Sequence, residues 1–267
     1  MTPAFPAPAW LVGCGNMAGA MVEGWRTAGV DLSGVTVIRP SGTPVAGVRT
    51  VTNYPDEAPR FVMLGFKPQK LDEVAPQLAP HVGNGTILVS MLAGVGTESL
   101  RNRFGSARAI VRVMPNLPVA QRQGVTALYS ADDDDAARAL VAALMSALGL
   151  APWCTNEAAF AAIGAVAGSG PAYVARFAAA LANGGERLGL DAELAMAIAV
   201  QTLVGTGAMA NASGDGMADL ARRVASPKGT TEQGLAVLDG ADGLQQLVDR
   251  MLAAAIRRGE EMAAAAR

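Results

Sequence analysis

The amino-acid sequence predicts a two-domain α/β protein, in which a doubly wound, largely parallel sheet is followed by an all-helical C-terminal domain. Short apolar runs of strand length alternate with amphipathic segments through the first half of the chain, and a glycine-rich turn follows the first run. Near Pro152 the composition changes to mostly Ala and Gly, without strand-like alternation. Because strands that alternate with helices need crossover connections, the first half predicts a parallel sheet covered on both faces.

The predicted strands are residues 9–12, 35–39, 49–52, 61–66, 86–90 and 109–113. Most of these runs are continuously apolar, as buried parallel strands usually are. Residues 13–28 are predicted to form a glycine-rich turn that opens into a helix, and a second helix is expected from Leu71. Asp132–Asp135 is interpreted as a solvated helix start, where acidic residues complement the helix dipole.

The second half predicts helices only. Pro171 suits the first turn of one helix, and Asp191 can cap the next. An apolar stripe at helical spacing begins at Leu244 and ends at Ala255. We therefore expect an α/β domain of residues 1–155 and a helical domain of residues 156–267. Helices so rich in Ala and Gly let backbones approach closely, which predicts association of the helical domain into a homodimer and leaves further assembly open.

Composition and charge narrow the class of protein. Hydrophobic residues make up 51% of the 267 residues, and 21 Lys and Arg balance 23 Asp and Glu, for a net charge of −2. This balance argues against a nucleic-acid partner. The two cysteines are too few for a disulfide framework, and the first nine residues lack the basic segment of a signal peptide, so we expect a cytoplasmic protein. No metal site is predicted.

One segment, residues 194–214, carries no charged residue and is long enough to span a bilayer. Its Ala, Gly and polar residues favour instead a buried helix packed on other helices, and no membrane partner is expected.

The glycine-rich turn after the first strand has the pattern G-x-G-x-x-A. The first glycine allows a tight turn, the second lets the backbone approach a pyrophosphate, and a small third residue lets helix and strand pack. The helix that follows would present free N–H groups to the phosphates. The placement predicts a Rossmann-type dinucleotide-binding domain, with a purely structural turn as the alternative. The residues concerned are Gly13, Gly15, Asn16, Met17 and Ala18.

The end of the second strand bears on which dinucleotide is bound. NAD sites usually have an acidic residue here that binds the ribose hydroxyls, and residues 37–43 contain none. Arg39 and Ser41 could instead hold a 2′-phosphate, which predicts NADP(H), with NAD(H) as a second acceptable cofactor. The alternative is that Arg39 is an ordinary surface residue.

Several segments, in order through nearly the whole chain, resemble the pyrroline-5-carboxylate reductase family. The two most specific lie in the helical half, at residues 168–173 and 226–231. The segments are Val12-Gly13-Cys14-Gly15-Asn16-Met17, Phe66-Lys67-Pro68-Gln69, Ala93-Gly94-Val95, Arg112-Val113-Met114-Pro115-Asn116-Leu117-Pro118, Gly168-Ser169-Gly170-Pro171-Ala172-Tyr173 and Ser226-Pro227-Lys228-Gly229-Thr230-Thr231.

The resemblance implies NADPH-dependent reduction of 1-pyrroline-5-carboxylate to L-proline, the last step of proline biosynthesis. It implies that the substrate carboxylate binds the loop before a helix near residue 230, and that the Thr231 hydroxyl faces the imine nitrogen. Glu157 is either a substrate contact or an exposed helix-start glutamate. The implied substrate-binding residues are Glu157, Ser226, Gly229, Thr230 and Thr231. The further implied cofactor contacts are Asn53, Phe66, Lys67, Pro68 and Ala93.

The residues around position 230 give the implied pocket a physical basis. Thr230 followed by Gln233 is a capping-box pattern, which predicts a helix start with the N–H groups of Gly229, Thr230 and Thr231 directed at one anion. Lys228 departs from the family, which usually has Gly there.

Two other functions are compatible with part of the sequence. β-Hydroxyacid dehydrogenases have a similar two-domain plan, and they resemble one another in carrying an acid–base lysine in the helical domain. Lys228 of this chain lies in a loop and not on a helix face, which counts against this function. A non-catalytic NADP(H)-sensing protein would explain the glycine turn but not the loop at residues 226–231. The single histidine, His81, lies outside every motif and is interpreted as a surface residue.

Overall fold

The computed structural model describes residues 2–265. The first half of the chain forms an eight-stranded sheet with the spatial order β3-β2-β1-β4-β5-β6-β7-β8. The first six strands are mutually parallel, which confirms the predicted doubly wound, largely parallel sheet. The strands are β1 (Ala9–Val12), β2 (Val35–Ile38), β3 (Arg49–Val51), β4 (Phe61–Leu64), β5 (Ile87–Ser90), β6 (Ala109–Pro115), β7 (Gly124–Tyr129) and β8 (Gly149–Leu150).

The last two strands were not predicted. β7 runs antiparallel to β6, and β8 pairs with β7 over two residues. β7 contains a glycine and a threonine, and it follows a polar run with a short 3₁₀ helix (Leu117–Gln121) before it. Its strand conformation therefore depends on pairing with β6, which local sequence does not encode.

Alternate residues of the strands face two separate apolar layers. In β4, Phe61 and Met63 pack with helices α1 and α4, whereas Val62 and Leu64 pack with α2 and α3. Both layers are fully buried here, which explains why the strand is apolar at every position. The helices are α1 (Asn16–Thr27), α2 (Leu71–Leu78), α3 (Thr97–Arg103), α4 (Asp135–Ser146) and α5 (Glu157–Ile163).

The remaining elements are helical, as predicted. The buried residues between helices α6 and α7 are alanines, with Ala178 and Ala182 of α6 against Ala195 and Ala199 of α7, and the half-buried Leu203 packs against them. Pro171 lies in the first turn of α6, and the Asp191 carboxylate caps α7 by accepting from the N–H of Glu193 and of Leu194, so both sequence assignments are confirmed. The helices are α6 (Gly170–Arg187), α7 (Ala192–Ser213), α8 (Met217–Val224), α9 (Thr230–Leu238) and α10 (Leu244–Ala265).

The contacts divide the chain differently from the boundary expected at residue 155. One compact unit comprises residues 1–169 and 255–267, and the other comprises residues 170–254. Helix α5 belongs to the first unit because Phe160 is buried with Ala127 of β7 and Cys154. The amino-acid composition indicates where the strands end, but it does not show which of the two units a helix such as α5 packs in.

Large apolar side chains of the second unit are exposed in the single chain. On α6, Val174, Phe177 and Leu181 are 45–52% exposed, and they share one helix face. Of the uncharged segment at residues 194–214, only Ala195 and Ala199 are buried. By length and composition, two helical segments could cross a membrane, Glu157–Arg187 and Ala192–Ser213. The predicted close packing of α7 is thus found on one side of the helix.

The acidic run before α4 is not simply solvated, which corrects the sequence interpretation. Asp132 accepts from the Arg101 guanidinium and from the Ile110 N–H, both at 2.6 Å. Asp134, the residue before α4, accepts from the Ala137 N–H and pairs with Arg108 at 2.7 Å. The Arg108 hydrogen bond and the helix N–H hold the pKa of Asp134 below its usual value.

His81 is half-buried, and its interpretation as a simple surface residue needs correction. Its ring lies 5.3 Å from the Trp10 ring and 5.2 Å from the Tyr54 ring. It therefore extends the apolar layer that contains Trp10. Burial raises the pKa of the Tyr54 hydroxyl.

Candidate active site

The glycine turn connects the end of β1 to the start of α1. Gly13 has φ +80°, a conformation that residues with a side chain rarely adopt, and its N–H donates to the Ile38 carbonyl at 2.8 Å. Gly15 is the residue before α1, and among the described residues no side chain caps this helix. The first N–H groups of α1 therefore remain available to an anion.

Two loops meet at the point where the strand order reverses, between β1 and β4. A side chain at Gly13 would lie 2.9 Å from the Gly65 carbonyl oxygen, and one at Gly65 would lie 2.8 Å from the Gly13 oxygen. A Cβ at Gly65 would also meet Ala18 at 3.2 Å. Ala18 thus has the packing role expected of the small third motif residue. The role of Gly65 was not predicted from the sequence, although its position directly after the strand ending at Leu64 could have indicated it.

The space in front of Gly15 is open. A Cβ at Gly15 would meet no atom of the described residues within 4 Å, unlike one at Gly13. Open space before a glycine at a helix N-terminus, on the carboxyl edge of a parallel sheet, is where a pyrophosphate can approach the backbone. Gly15, Asn16 and Met17 would hold it there.

The other predicted cofactor residues lie on the same edge of the sheet. Arg39 follows β2, Asn53 follows β3, the Phe66-Lys67-Pro68 segment follows β4 and Ala93 follows β5. Because these strands are parallel, their carboxyl ends share one edge. The fold thus gathers residues that are up to eighty positions apart in the sequence.

Arg39 and Ser41 follow β2, and Arg39 lies close to the glycine turn. Arg39 is half-buried. Burial raises the pKa of the Cys14 thiol, and the positive charge of Arg39 only partly offsets this effect. Cys14 is buried in the apolar layer under α1, which agrees with its interpretation as a small filling residue. The Ser41 hydroxyl accepts from the Thr43 hydroxyl at 3.0 Å and from the Thr43 N–H at 3.3 Å. An arginine at this place can neutralise a phosphate, since its guanidinium is always charged.

Arg112 of β6 is a buried cation that the sequence did not assign to any role. Its guanidinium donates to the Glu157 carboxylate and lies 4.5 Å from the centre of the Phe160 ring. The Arg112 side chain is 10% exposed, and that of Glu157 is 46% exposed. Glu157 starts α5, as one alternative had it, but it is also the counter-ion of a buried arginine. Whether it also contacts substrate stays a prediction.

Met114 and Asn116, two and four residues further on, contact the next turns of the same helical segment. A Cβ at Gly164 would lie 2.4 Å from the Met114 sulfur, so the glycine makes room for it. The Asn116 amide donates to the Ala167 carbonyl at 2.9 Å. Gly164–Gly168 is a π-helical turn between α5 and α6. The alternation Arg-x-Met-x-Asn on a strand could have indicated this shared face.

Residues 226–229 form the loop before α9, which begins at Thr230, close to the predicted start. The predicted capping box is wrong, because Gly229 is the residue before the helix and Glu232 accepts from the Lys228 N–H at 2.6 Å. The Gly229 N–H donates to the Ser226 carbonyl at 2.9 Å, so Gly229 does not offer the free N–H that was expected. Thr230 and Thr231 occupy the first two helical positions, whose N–H groups have no intrahelical acceptor. Lys228 has φ +58°, which a glycine would adopt without strain.

The sheet order β3-β2-β1-β4-β5-β6, the glycine turn at its switch point and the open space before Gly15 define a dinucleotide-binding α/β protein with an added helical unit. A family model described as pyrroline-5-carboxylate reductase dimerisation matches residues 157–262. A pyrroline-5-carboxylate reductase of Pseudomonas aeruginosa is 37% identical over 262 residues, which cover 95% of this chain and 96% of that protein. The chain therefore belongs to the pyrroline-5-carboxylate reductase family, as its motifs predicted.

Solved structures agree with this assignment. The pyrroline-5-carboxylate reductase of Coxiella burnetii has a TM-score of 0.88 and 32% identity, with coverage of 96% of this chain and 98% of that one. A Plasmodium falciparum pyrroline carboxylate reductase with NADP bound has a TM-score of 0.85 at 23% identity, covering 97% and 99% of the two chains, and shows the same fold. The family assignment replaces the β-hydroxyacid dehydrogenase alternative.

Proposed function

We propose that this chain reduces 1-pyrroline-5-carboxylate to L-proline with NADPH, in the last step of proline biosynthesis. The observation that carries the proposal is 37% identity to a pyrroline-5-carboxylate reductase over 95% of the chain. Purified protein should oxidise NADPH when pyrroline-5-carboxylate is added and should leave 3-hydroxy acids unchanged. NADPH binding without turnover would favour the non-catalytic sensing alternative.

The reaction asks little acid–base chemistry of the protein. When NADPH is bound, the imine carbon would accept its hydride, and the electron pair of the C=N bond would pass to the protonated nitrogen. The chain's own residues therefore need to bind both molecules, orient them and exclude water. The carboxyl edge of the sheet suits this requirement, because it carries glycines, the first turn of a helix and a few hydrogen-bonding side chains.

The 2′-phosphate of NADPH is assigned to Arg39 and Ser41, at the end of β2. Arg39→Ala should raise the KM for NADPH several-fold and leave that for NADH nearly unchanged, because only NADPH has the phosphate. Arg60→Ala is a matched control, since Arg60 is an exposed arginine just before β4, at the opposite edge of the sheet. A preference for NADH in the unmodified enzyme would refute this assignment.

The substrate carboxylate is assigned to the first turn of α9, with contributions from Ser226 and Thr230, and the imine nitrogen to the Thr231 hydroxyl. Gly229, whose N–H donates to the Ser226 carbonyl, shapes the loop instead. The exposed N–H groups and the helix dipole favour an anion there. Thr231→Ala should lower kcat/KM about tenfold or more, since a hydrogen bond to a charged group contributes on the order of 1.5–3 kcal/mol. Thr231→Ser should recover much of this activity. Glu157 is retained as a second candidate contact.

Thr230→Ala is the control for this assignment, because Thr230 would act through a backbone N–H that alanine keeps. A Thr231→Ala enzyme with reduced thermal stability and normal kinetics would show that the loop is only a helix start. Glu157→Gln would then be the next variant to measure.

The exposed apolar face of α6 is assigned to a second copy of this chain, which forms a homodimer in the cytoplasm without a membrane. The support is the match of residues 157–262 to a dimerisation domain and the exposure of Val174, Phe177 and Leu181. Light scattering should give a dimer or a larger oligomer at micromolar concentration without detergent. Leu181→Glu should shift it toward monomer, whereas Leu150→Glu, at an exposed leucine of β8, should not. A monomeric wild type, or protein soluble only in detergent, would refute this.

A further inference from the structure

The π-helical turn Gly164–Gly168 is anchored to β6, at the edge of the sheet where the ligand residues are gathered. In the register of the sheet Ser90, the last residue of β5, pairs with Arg112, so β6 continues beyond the end of its parallel neighbour. Met114 lies on this extension, and Asn116 directly follows it. π-helical turns inside helices contain an extra residue and are frequent at functional sites.

Asn116 uses its whole side chain at this position, and the residue is 5% exposed. Its Oδ1 accepts from the Val125 N–H at 2.8 Å, and its Nδ2 donates to the Ala167 carbonyl at 2.9 Å. Its own N–H donates to the Val125 carbonyl at 3.1 Å. The amide therefore joins the end of β6, the start of β7 and the π-helical turn.

A bound dinucleotide would extend from Arg39 toward this place. Its two halves lie on either side of the switch point, and Arg39, assigned to the adenosine 2′-phosphate, follows β2 on one side. The nicotinamide half must then lie on the other side, where β4, β5 and β6 end. Asn116 is the residue that directly follows β6.

We propose that Asn116 is a positioning residue for hydride transfer, which acts by fixing the π-helical turn through the Ala167 carbonyl beside the nicotinamide. The inference rests on the proposed function for the direction of the dinucleotide and for the reaction. A shift of about 1 Å at reacting groups can reduce the rate by as much as a hundredfold, so the loss of one such hydrogen bond is measurable.

The test is Asn116→Asp at pH 8, where an ionised carboxylate keeps the shape and the acceptor for the Val125 N–H but cannot donate to the Ala167 carbonyl. Ser130→Ala is the matched control. Ser130 is similarly buried, and its hydroxyl donates to the Ile110 carbonyl at 2.7 Å, at the opposite end of β6. If Asn116→Asp does not fold, Asn116→Ser, which breaks the same contact without burying a charge, is measured instead.

We expect Asn116→Asp to lower kcat about tenfold or more, to change the NADPH Kd less than twofold and to raise the isotope effect with NADPH deuterated at the transferred hydrogen. The fluorescence of bound NADPH should also change, because its emission comes from the nicotinamide. Ser130→Ala should lose stability through one buried hydrogen bond, with kcat and fluorescence near wild type. An Asn116→Asp enzyme that is merely less stable, with both signals unchanged, would overturn the inference. A wild type without pyrroline-5-carboxylate turnover would reject the proposed function, while the fluorescence still decides the position of Asn116.

Discussion

Gly15→Ala and Gly13→Ala should separate cofactor binding from folding, although the two glycines are two residues apart. At Gly13 the φ of +80° is unfavourable for alanine by about 1–2 kcal/mol. The new Cβ would also lie 2.9 Å from the Gly65 carbonyl oxygen, and such overpacking typically costs about 1–3 kcal/mol. Gly13→Ala should therefore lower the free energy of unfolding by about 3 kcal/mol.

At Gly15 the same methyl group would meet no atom of the described residues within 4 Å, and φ is −83°. The free energy of unfolding should change by less than about 0.5 kcal/mol, as for most exposed substitutions. A bound pyrophosphate, however, would be displaced from the α1 N–H groups. The loss of one charge-assisted hydrogen bond, about 1.5–3 kcal/mol, weakens NADPH binding on the order of tenfold to a hundredfold.

Urea unfolding followed by circular dichroism gives the stability of each variant, and titration of NADPH fluorescence gives its Kd. The expected pattern is an unstable Gly13→Ala protein and a stable Gly15→Ala protein that binds NADPH weakly. Normal NADPH affinity in Gly15→Ala would refute the placement of the pyrophosphate on α1.

Three further predictions concern the framework of the site. Gly24→Ala should destabilise the fold by about 2 kcal/mol, because its Cβ would lie 2.2 Å from the Val119 carbonyl oxygen. Gly19→Ala, on the same helix, places its Cβ in open space and should stabilise the fold by about 0.5–1 kcal/mol. Urea unfolding measures both changes. Asp134→Asn should be less stable than wild type at neutral pH, because the Arg108 hydrogen bond lowers the pKa of the Asp134 carboxyl. This gap should begin to narrow as the pH falls below about 4, the ordinary pKa of an aspartate, and should disappear only below the lowered pKa of folded Asp134, so a constant gap would contradict it. Both cysteines are buried and burial raises their pKa, so they should react slowly with thiol reagents at pH 7 in the native protein; rapid labelling of either would show an opening that the structure lacks among its described residues.

The sequence by itself determined the class of fold and the half of the site that is local in the chain. The six predicted strands are all present as parallel strands, and most of them are apolar because strands buried on both faces need apolar side chains at every position. The G-x-G-x-x-A turn could be interpreted because its three small residues act within one strand–turn–helix unit. The family motifs predicted the assignment that full-length identity then confirmed.

The tertiary structure decided what depends on residues far apart in the chain. Gly65 is needed because another loop approaches it, and β7 is a strand because β6 is beside it. The ion pair of Arg112 with Glu157 joins residues 45 positions apart, and the contact of Asn116 with Ala167 joins residues 51 apart. Local propensity contains no term for such contacts. The predicted cap of α9 was wrong for a related reason, because the path of the loop places Gly229 before the helix and directs the Glu232 carboxylate to the Lys228 N–H.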